Sequence, residues 1–490
     1  MTIVDSGPHP HLGDPLRRGT LPAAWKELAD DDSDRQCLTH GDETLTRGGL
    51  DSRSATAAAR LFGAGVRRGD RVMTSAAPSL DLVAAHVAAL RLGAVVVPVN
   101  GALGQREVTH IARDSGARLA VTDDHRWSGW LAPEVTVIRP DLPVREAEPG
   151  SLDEVDGNSP AMIGYTSGTT GAPKGAVLTH GNLLATAEAV RVAWGWTAND
   201  RLVLALPLFH MHGLGVGLHG TLTAGAHAVL LPRFDPDDVL AAVDDTAATM
   251  FFGVPTMYSR LLAHPDVARM RRLRLCVSGS APLAPDAWHR FHELTGLEIL
   301  ERYGMTETGM LVSNTLAGPR RPGSVGYPLP GVQARIDGDP GEVLVRGPNV
   351  FPGYWRNPEA TTAAFEDGWF RTGDLATVGP DGDIRLVGRA GDMVISGGEN
   401  VYPREIEDLL VTMPGVTEVA VGSTPDPDWG EIVTAWIVAE DGGTPDVEAV
   451  RSFLADDLAA FKHPRIVHLV AELPRNALGK VQKHRLGAET

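Results

Sequence analysis

Between residues 50 and 122 the apolar residues switch repeatedly between two spacings, and that alternation limits the fold more than any other feature of the chain. Leu50 to Phe62 carries Ala and Leu at helical spacing, and Asp70-Arg71-Val72-Met73-Thr74 then reads as a strand. Leu80 to Leu92 is again helical, and after Gly93 comes the run Ala94-Val95-Val96-Val97-Pro98-Val99. Val108 to Ser115 and Leu119-Ala120-Val121-Thr122 repeat the pattern. Short, wholly apolar runs of this kind suit strands covered on both faces. Helices alternating with them predict an α/β architecture with mostly parallel sheets. At 490 residues the chain exceeds one ordinary core, so two or more domains are expected.

Past Gly331 the texture turns to strands and turns, with Gly341-Glu342-Val343-Leu344-Val345-Arg346-Gly347 and Asp381-Gly382-Asp383-Ile384-Arg385-Leu386. Asp381-Gly382 is a hairpin turn signal. From Arg389 to Gly391 onward, a mixed unit of about a hundred residues fits the size of a small domain. It comprises a helix around Pro403 to Met413, strands at Val416 to Val421 and Ile432 to Val438, and a helix at Val447 to Leu458. The expected division is therefore 1–389 and 390–490.

The formal net charge of -18 disfavours a nucleic-acid partner, because duplex binding releases counterions through clustered Lys and Arg. Only Cys37 and Cys276 are present, which excludes a disulfide scaffold or a multi-cysteine zinc site and points to a reducing cytoplasm. Met1 to Leu16 is polar, with Pro8, Pro10 and Pro15, and lacks the apolar stretch of a signal peptide. Runs such as Leu80 to Val99 are broken by Asp81, His86 and Arg91, so no membrane insertion is expected. Oligomeric state leaves no signature here.

Chemistry concentrates in a few blocks. Tyr165-Thr166-Ser167-Gly168-Thr169-Thr170-Gly171-Ala172-Pro173-Lys174-Gly175 lies between strand-like Ala161 to Tyr165 and Ala176 to Thr179. Glycines let backbone approach a ligand closely, and hydroxyl and N–H groups donate to anionic oxygens, so the block suits phosphate. Its lysine follows proline and precedes glycine, unlike the nucleotide-hydrolase loop. A Gly/Ser/Thr-rich linker is the competing reading. In Glu301-Arg302-Tyr303-Gly304-Met305-Thr306-Glu307-Thr308, Glu307 suits Mg²⁺ and Thr306 a phosphate; a turn bearing a solvated acid competes. In Trp369-Phe370-Arg371-Thr372-Gly373-Asp374-Leu375, Asp374 suits two ribose hydroxyls, against an ordinary Asp-capped turn. Lys480, in Leu473-Pro474-Arg475-Asn476-Ala477-Leu478-Gly479-Lys480, would otherwise be a solvated charge.

Together with Ser278-Gly279-Ser280-Ala281-Pro282-Leu283, these blocks resemble, in order and spacing from about Thr39 to Arg485, the adenylate-forming superfamily of acyl-CoA synthetases, aryl-CoA ligases, luciferases and peptide-synthetase adenylation domains. The resemblance implies an AMP-forming acid:CoA ligase using ATP, Mg²⁺ and CoA. It also implies a large N-terminal domain of stacked mixed α/β sheets with a β-rich subdomain, and a small mobile α+β C-terminal domain that rotates between two half-reactions. ATP contacts would come from Thr166, Ser167, Gly168, Thr169, Thr170, Gly171, Lys174, Ser280, Ala281, Pro282, Glu301, Arg302, Tyr303, Gly304, Met305, Thr306, Asp374, Arg389 and Lys480. Thr166 and Glu307 would hold the metal, and Lys480, Thr166, Glu307 and His210 would take part in catalysis. Relatives carry Asp or Lys where this chain has Gly391 at the hinge. Gly397-Gly398-Glu399 and Lys462 resemble the CoA-facing segment, with a separate carrier protein as the competing acceptor.

For the acid, the resemblance implies His210 as the gate of the acyl site, lined also by Ser278, Gly279, Gly304, Met305, Gly309, Met310 and Leu311. His210 and His212 lack a marked third ligand for zinc. Gly253-Val254-Pro255-Thr256-Met257-Tyr258-Ser259-Arg260 resembles malonyl/methylmalonyl-CoA synthetases, with Arg260 as carboxylate reader or, alternatively, a surface residue. Gly309-Met310-Leu311-Val312-Ser313 departs toward an apolar wall that would suit a longer or aromatic acid. Small dicarboxylates, short- or medium-chain and aryl acids, and nitrite activation by a diazotase therefore stay open, as does a regulatory protein that kept the fold without the reaction.

Overall fold

The computed structural model describes residues 2–4, 7, 9, 19–166, 173–318, 320–396, 399–426, 430–440, 443–455, 457–475 and 480–487. The chain divides into two compact units, one formed by Val4–Ala334 and Val345–Phe370, the other by Met1–Ile3, Arg335–Leu344 and Arg371–Thr490.

In the larger unit the alternating segment builds one half of a seven-stranded sheet. Its strand order is Gly353–Tyr354, Lys174–Thr179, Pro160–Thr166, Val95–Pro98, Arg71–Ser75, Leu119–Thr122 and Thr136–Ile138. Pairing from Pro160–Thr166 to Thr136–Ile138 is parallel, as wholly buried apolar runs require, and the other two strands are antiparallel. A nine-stranded sheet runs Tyr327–Pro328, Gly309–Ser313, Leu300–Met305, Leu275–Ser278, Met250–Gly253, Arg201–Leu204, His227–Leu230, Gln36–His40 and Glu43–Thr46. It too is parallel at the centre and antiparallel at both ends.

The predicted helix at Leu80 is observed as Leu80–Arg91, with Ser79 accepting from the Leu82 N–H as its N-cap. It is buried on almost every face, which an amphipathic surface helix would not tolerate. Arg91 ends it inside the protein because Asp51 and Asp153 flank the guanidinium at 2.8 and 3.0 Å. His86, from the middle of the same helix, meets His219 with their Nε2 atoms 2.8 Å apart. Such a pair needs one donor and one acceptor, so at least the accepting ring is neutral.

From Arg371 the smaller unit contains the rest of strand Trp369–Val378 and the strand Ile384–Arg389, joined through the predicted Asp381-Gly382 turn, with Gly382 at φ +83°. Its second sheet orders Glu399–Val401, Val394–Ser396, Gly430–Ala439 and Val416–Asp426, while Ile466–Leu469 joins Gly430–Ala439 in parallel. Helices Pro403–Leu410 and Val447–Leu454 bury Ile406, Leu410, Val450 and Leu454 against Val421 and Val433 of that sheet. The mixture is the α+β texture expected after residue 390. Among the described residues no helix is long and apolar enough to cross a membrane.

Burial pushes His86 and the nearby, fully buried His180 down to about 4, and His219 well below the usual histidine range. Because these folded values lie below the unfolded value near 6.5, stability is intact above about pH 6.5 and is lost as pH falls toward 4. His86 and His180 each contribute up to about 3 kcal/mol to that loss. Urea midpoints should therefore drop steeply between pH 6.5 and 4, and less steeply in His86→Gln/His219→Gln.

Candidate active site

Thr166 and Lys174 are direct register partners at the open end of the hairpin Pro160–Thr166/Lys174–Thr179, so both feet of the Gly/Ser/Thr-rich loop are set by strand pairing. Ser167, Gly168, Thr169, Thr170 and Gly171 lie outside the described residues. Helix Gln105–Ser115 braces both feet from one face: the Tyr165 hydroxyl donates to Asp114 at 2.5 Å, and His110 Nε2 lies 3.5 Å from the Pro173 carbonyl oxygen. Neither brace was marked in the sequence, since a histidine and an acid four apart are ordinary on any helix.

Glycine at 164 brings the second block to this hairpin. A Cβ there would lie 2.4 Å from Thr306 Cγ2, so only glycine permits the approach. The next residue, Glu307, is buried, with Oε1 3.5 Å from Thr166 Oγ1 and accepting from the Tyr354 hydroxyl at 3.2 Å. Lys174 Nζ lies 5.2 Å from the centroid of the same tyrosine ring. Tyr354 was missed in the sequence; its only sign is an aromatic pair, Tyr354-Trp355, after a glycine. Among the described residues no three His, Cys, Asp or Glu side chains form a metal cage. One buried carboxylate flanked by hydroxyls fits Mg²⁺, which takes one or two carboxylates and completes its shell with phosphate oxygens and water.

A polar group lies at the ends of the central strands of the nine-stranded sheet. Ser280 adopts φ +71°, sparsely populated for a non-glycine residue, and its hydroxyl sits 3.4 Å from His212 Nδ1 and 3.5 Å from Arg302 Nη2. Arg302 is only 4% exposed, its Nε has no hydrogen-bond partner, and no carboxylate among the described residues pairs with it. Burial pulls its guanidinium below the usual arginine range. Gly279 makes room for it, since a Cβ there would lie 2.5 Å from Arg302 Cζ. Ser278 Oγ and His212 Nε2 are likewise buried without a partner. Burial, with help from Arg302 and His210, holds His212 well below the usual range, so the ring is neutral.

His210 is half-buried against Phe209, just before a π-helical turn at His212–Leu218, and burial lowers it to about 4. Tyr303 is buried, Gly304 is compelled by the Gly309 carbonyl 2.1 Å from its would-be Cβ, and Met305 pairs with Gly309. Glu301 accepts from the Gly323 N–H at 2.9 Å, which anchors a loop. Ala281 and Pro282 follow Ser280 into helix Pro285–Thr295. Arg260 is not in the Ser280 group: it is exposed on helix Pro255–Leu262, its guanidinium 4.9 Å from the Phe234 ring centroid. Gly309 leaves no pocket volume, because Thr186 Oγ1 would lie 2.2 Å from its Cβ; Met310 and Leu311 are buried in the sheet.

In the smaller unit, Asp374 and Arg389 face each other in register, with Nε donating to Oδ1 at 2.9 Å. Gly373, at φ +71°, donates its N–H to Glu342 and makes the turn of chain that presents Asp374. Lys480 reaches solvent, yet the surrounding protein holds its ammonium below the usual lysine range; Arg389 and Lys483 act the same way, and Asp374 and Asp392 oppose them. Lys462 Nζ lies 2.7 Å from both Glu405 carboxylate oxygens. Gly397 and Gly398 lie outside the described residues, and Glu399 begins the strand Glu399–Val401.

Residues 25–355 match the AMP-binding enzyme family and residues 405–480 its C-terminal domain family. A feruloyl-CoA synthase from Amycolatopsis sp is 39% identical, covering 91% of this chain and 94% of its own. A malonate–CoA ligase from Arabidopsis thaliana is 35% identical over 91% of this chain and 81% of its own. Among solved structures, ATP-bound MatB from Rhodopseudomonas palustris superposes with a TM-score of 0.90 at 38% identity, covering 96% and 99% of the two chains. O-succinylbenzoate coenzyme A synthetase from Bacillus subtilis, with ATP and magnesium, gives 0.86 at 30% identity, covering 94% and 98%.

Gly309→Ala combines a steric clash with a left-handed backbone. It should destabilise the protein by about 1–3 kcal/mol in chemical denaturation. The accompanying Thr186→Gly substitution should recover part of that loss, and acid preference should stay unchanged.

Proposed function

Because this chain belongs to the AMP-binding enzyme family and is an ATP-dependent, AMP-forming acyl-CoA ligase that uses Mg²⁺ and CoA, we propose that its acid is a small dicarboxylate such as malonate or methylmalonate. The observation that carries this reading is Arg302. Among the described residues its guanidinium has no acid partner, a burial that costs several kcal/mol, and a second carboxylate on the substrate would remove that cost. Ser280 and neutral His212 add hydrogen-bonding atoms beside the same cation. The similarity to a malonate–CoA ligase and to MatB supports the choice. An aryl acid is the second reading, supported by the similarity to a feruloyl-CoA synthase.

In this proposal one carboxylate oxygen of the acid bonds to the α-phosphorus of ATP, the bond to pyrophosphate breaks, and the CoA thiolate then displaces AMP from the acyl carbon. Lys174 and the phosphate loop hold the outer phosphates, and Thr306 donates to the α-phosphate. Thr166 and Glu307 would hold Mg²⁺, which neutralises phosphate charge. Asp374 accepts from the ribose hydroxyls while Arg389 fixes its carboxylate. Lys480 donates to the incoming carboxylate and the α-phosphate, which lowers the repulsion between two anions in the transition state. His210 closes the acyl site. The division at 390 separates the ATP site from a mobile segment carrying Lys480, with Gly391 as pivot; a Cβ there would meet no atom within 4 Å. Gly397, Gly398, Glu399 and Lys462 face CoA, with Lys462 exchanging Glu405 for a phosphate of the ligand. Free, buried Cys37 and Cys276 accord with a cytoplasmic location.

Acid-dependent pyrophosphate release, measured across malonate, methylmalonate, fatty acids, aryl acids and nitrite, with and without CoA, tests the reading. Malonate or methylmalonate should give the highest kcat/KM, and Arg302→Leu should lower it about 100-fold for dicarboxylates while sparing monocarboxylates. Preference for ferulate, or equal losses for both acid classes, would overturn it. Lys480 works as a cation, so its lowered pKa places the alkaline limb of adenylation below pH 10.5. Lys480→Arg should move that limb upward, and Lys480→Ala should leave thioester formation from supplied acyl-adenylate nearly intact.

A further inference from the structure

Tyr354 is held from several sides. Its strand Gly353–Tyr354 pairs with Lys174–Thr179, placing Tyr354 opposite Ala176, and its N–H donates to Thr361 Oγ1 at 2.9 Å. Phe351 packs edge-on against its ring, with centroids 4.9 Å apart, and the Phe351 N–H donates to the Glu307 carbonyl oxygen at 2.9 Å. Gly353 sits at φ +151°, and a Cβ there would lie 2.5 Å from Thr361, so this backbone path admits no side chain before the tyrosine. From that fixed position the hydroxyl reaches Glu307 Oε1 at 3.2 Å while the ring lies 5.2 Å from Lys174 Nζ.

We infer that Tyr354 is a positioning residue that couples the metal carboxylate to the phosphate-loop lysine: its hydroxyl orients Glu307 and its ring face holds the Lys174 ammonium. The inference rests on the roles given above to Glu307 and Lys174. A hydrogen bond to a carboxylate restricts its rotation, and an ammonium over a phenol ring is attracted by the ring quadrupole. The two contacts separate cleanly, because phenylalanine removes one and keeps the other.

Calorimetric titration of the full chain with ATP, at several Mg²⁺ concentrations, reads both contacts without turnover. Tyr354→Phe should leave metal-free ATP affinity unchanged and raise the half-saturating Mg²⁺ concentration about 5- to 20-fold. Excess Mg²⁺ should then restore kcat for pyrophosphate release. Tyr354→Leu should also weaken metal-free ATP binding, by about threefold or more. Equal Mg²⁺ requirements in wild type and Tyr354→Phe would overturn the inference, as would a loss of kcat that excess Mg²⁺ does not restore; a lowered melting temperature with unchanged metal affinity marks a purely structural tyrosine. If Tyr354→Leu fails to fold, Tyr354→Phe still decides. Should the wild type bind Mg·ATP but release no pyrophosphate with any acid, the reaction proposed above fails, and the titration still tests Tyr354.

Discussion

Close approach at Gly164 is the constraint on which the larger unit's site depends. The hairpin bearing Thr166 and Lys174 belongs to one sheet, and the turn bearing Thr306 and Glu307 belongs to the other. With Thr306 Cγ2 2.4 Å from a would-be Cβ at residue 164, any side chain there would push the turn away. The hairpin end carrying Thr166 and Lys174 and the turn carrying Thr306 and Glu307 would then separate together, and electrostatic interaction between them falls off with distance. Tyr354 and the Phe351 N–H close the same seam from the far side of Glu307.

Two buried arginines show how the fold treats charge. Arg91 has Asp51 and Asp153 at ion-pair distance and serves as a structural tie between helix and loop. Arg302 has a serine hydroxyl at 3.5 Å and an unpartnered Nε. Folding tolerates the first because its partners travel with it. The second is buried with its Nε unsatisfied, a cost that the proposed acid would relieve.

The alternation of helix and strand spacing was read correctly because buried parallel strands leave an unmistakable apolar run; Leu119–Thr122 is a strand over the residues expected. The blocks around Thr166, Glu307 and Asp374 were visible because few turns concentrate glycine, hydroxyl and charge so densely. At Gly309 the sequence shows only a glycine, whereas Thr186, distant in sequence, occupies the space beside it. Arg260 keeps two readings, carboxylate reader or surface residue, and the structure adds that its guanidinium lies over the Phe234 ring. Tyr354, His110 and Asp114 carried no local mark, since each acts only through a residue from another element.

By itself the sequence determined the α/β class, the change of texture toward the C-terminal end and the family, because periodicity and dense motifs are local properties that survive without knowledge of neighbours. Tertiary structure alone decided which arginine is buried with an unsatisfied Nε, which glycine is a contact rather than a vacancy, and which tyrosine stands between Glu307 and Lys174. Burial and pairing are properties of two segments at once, and no single stretch of chain records them.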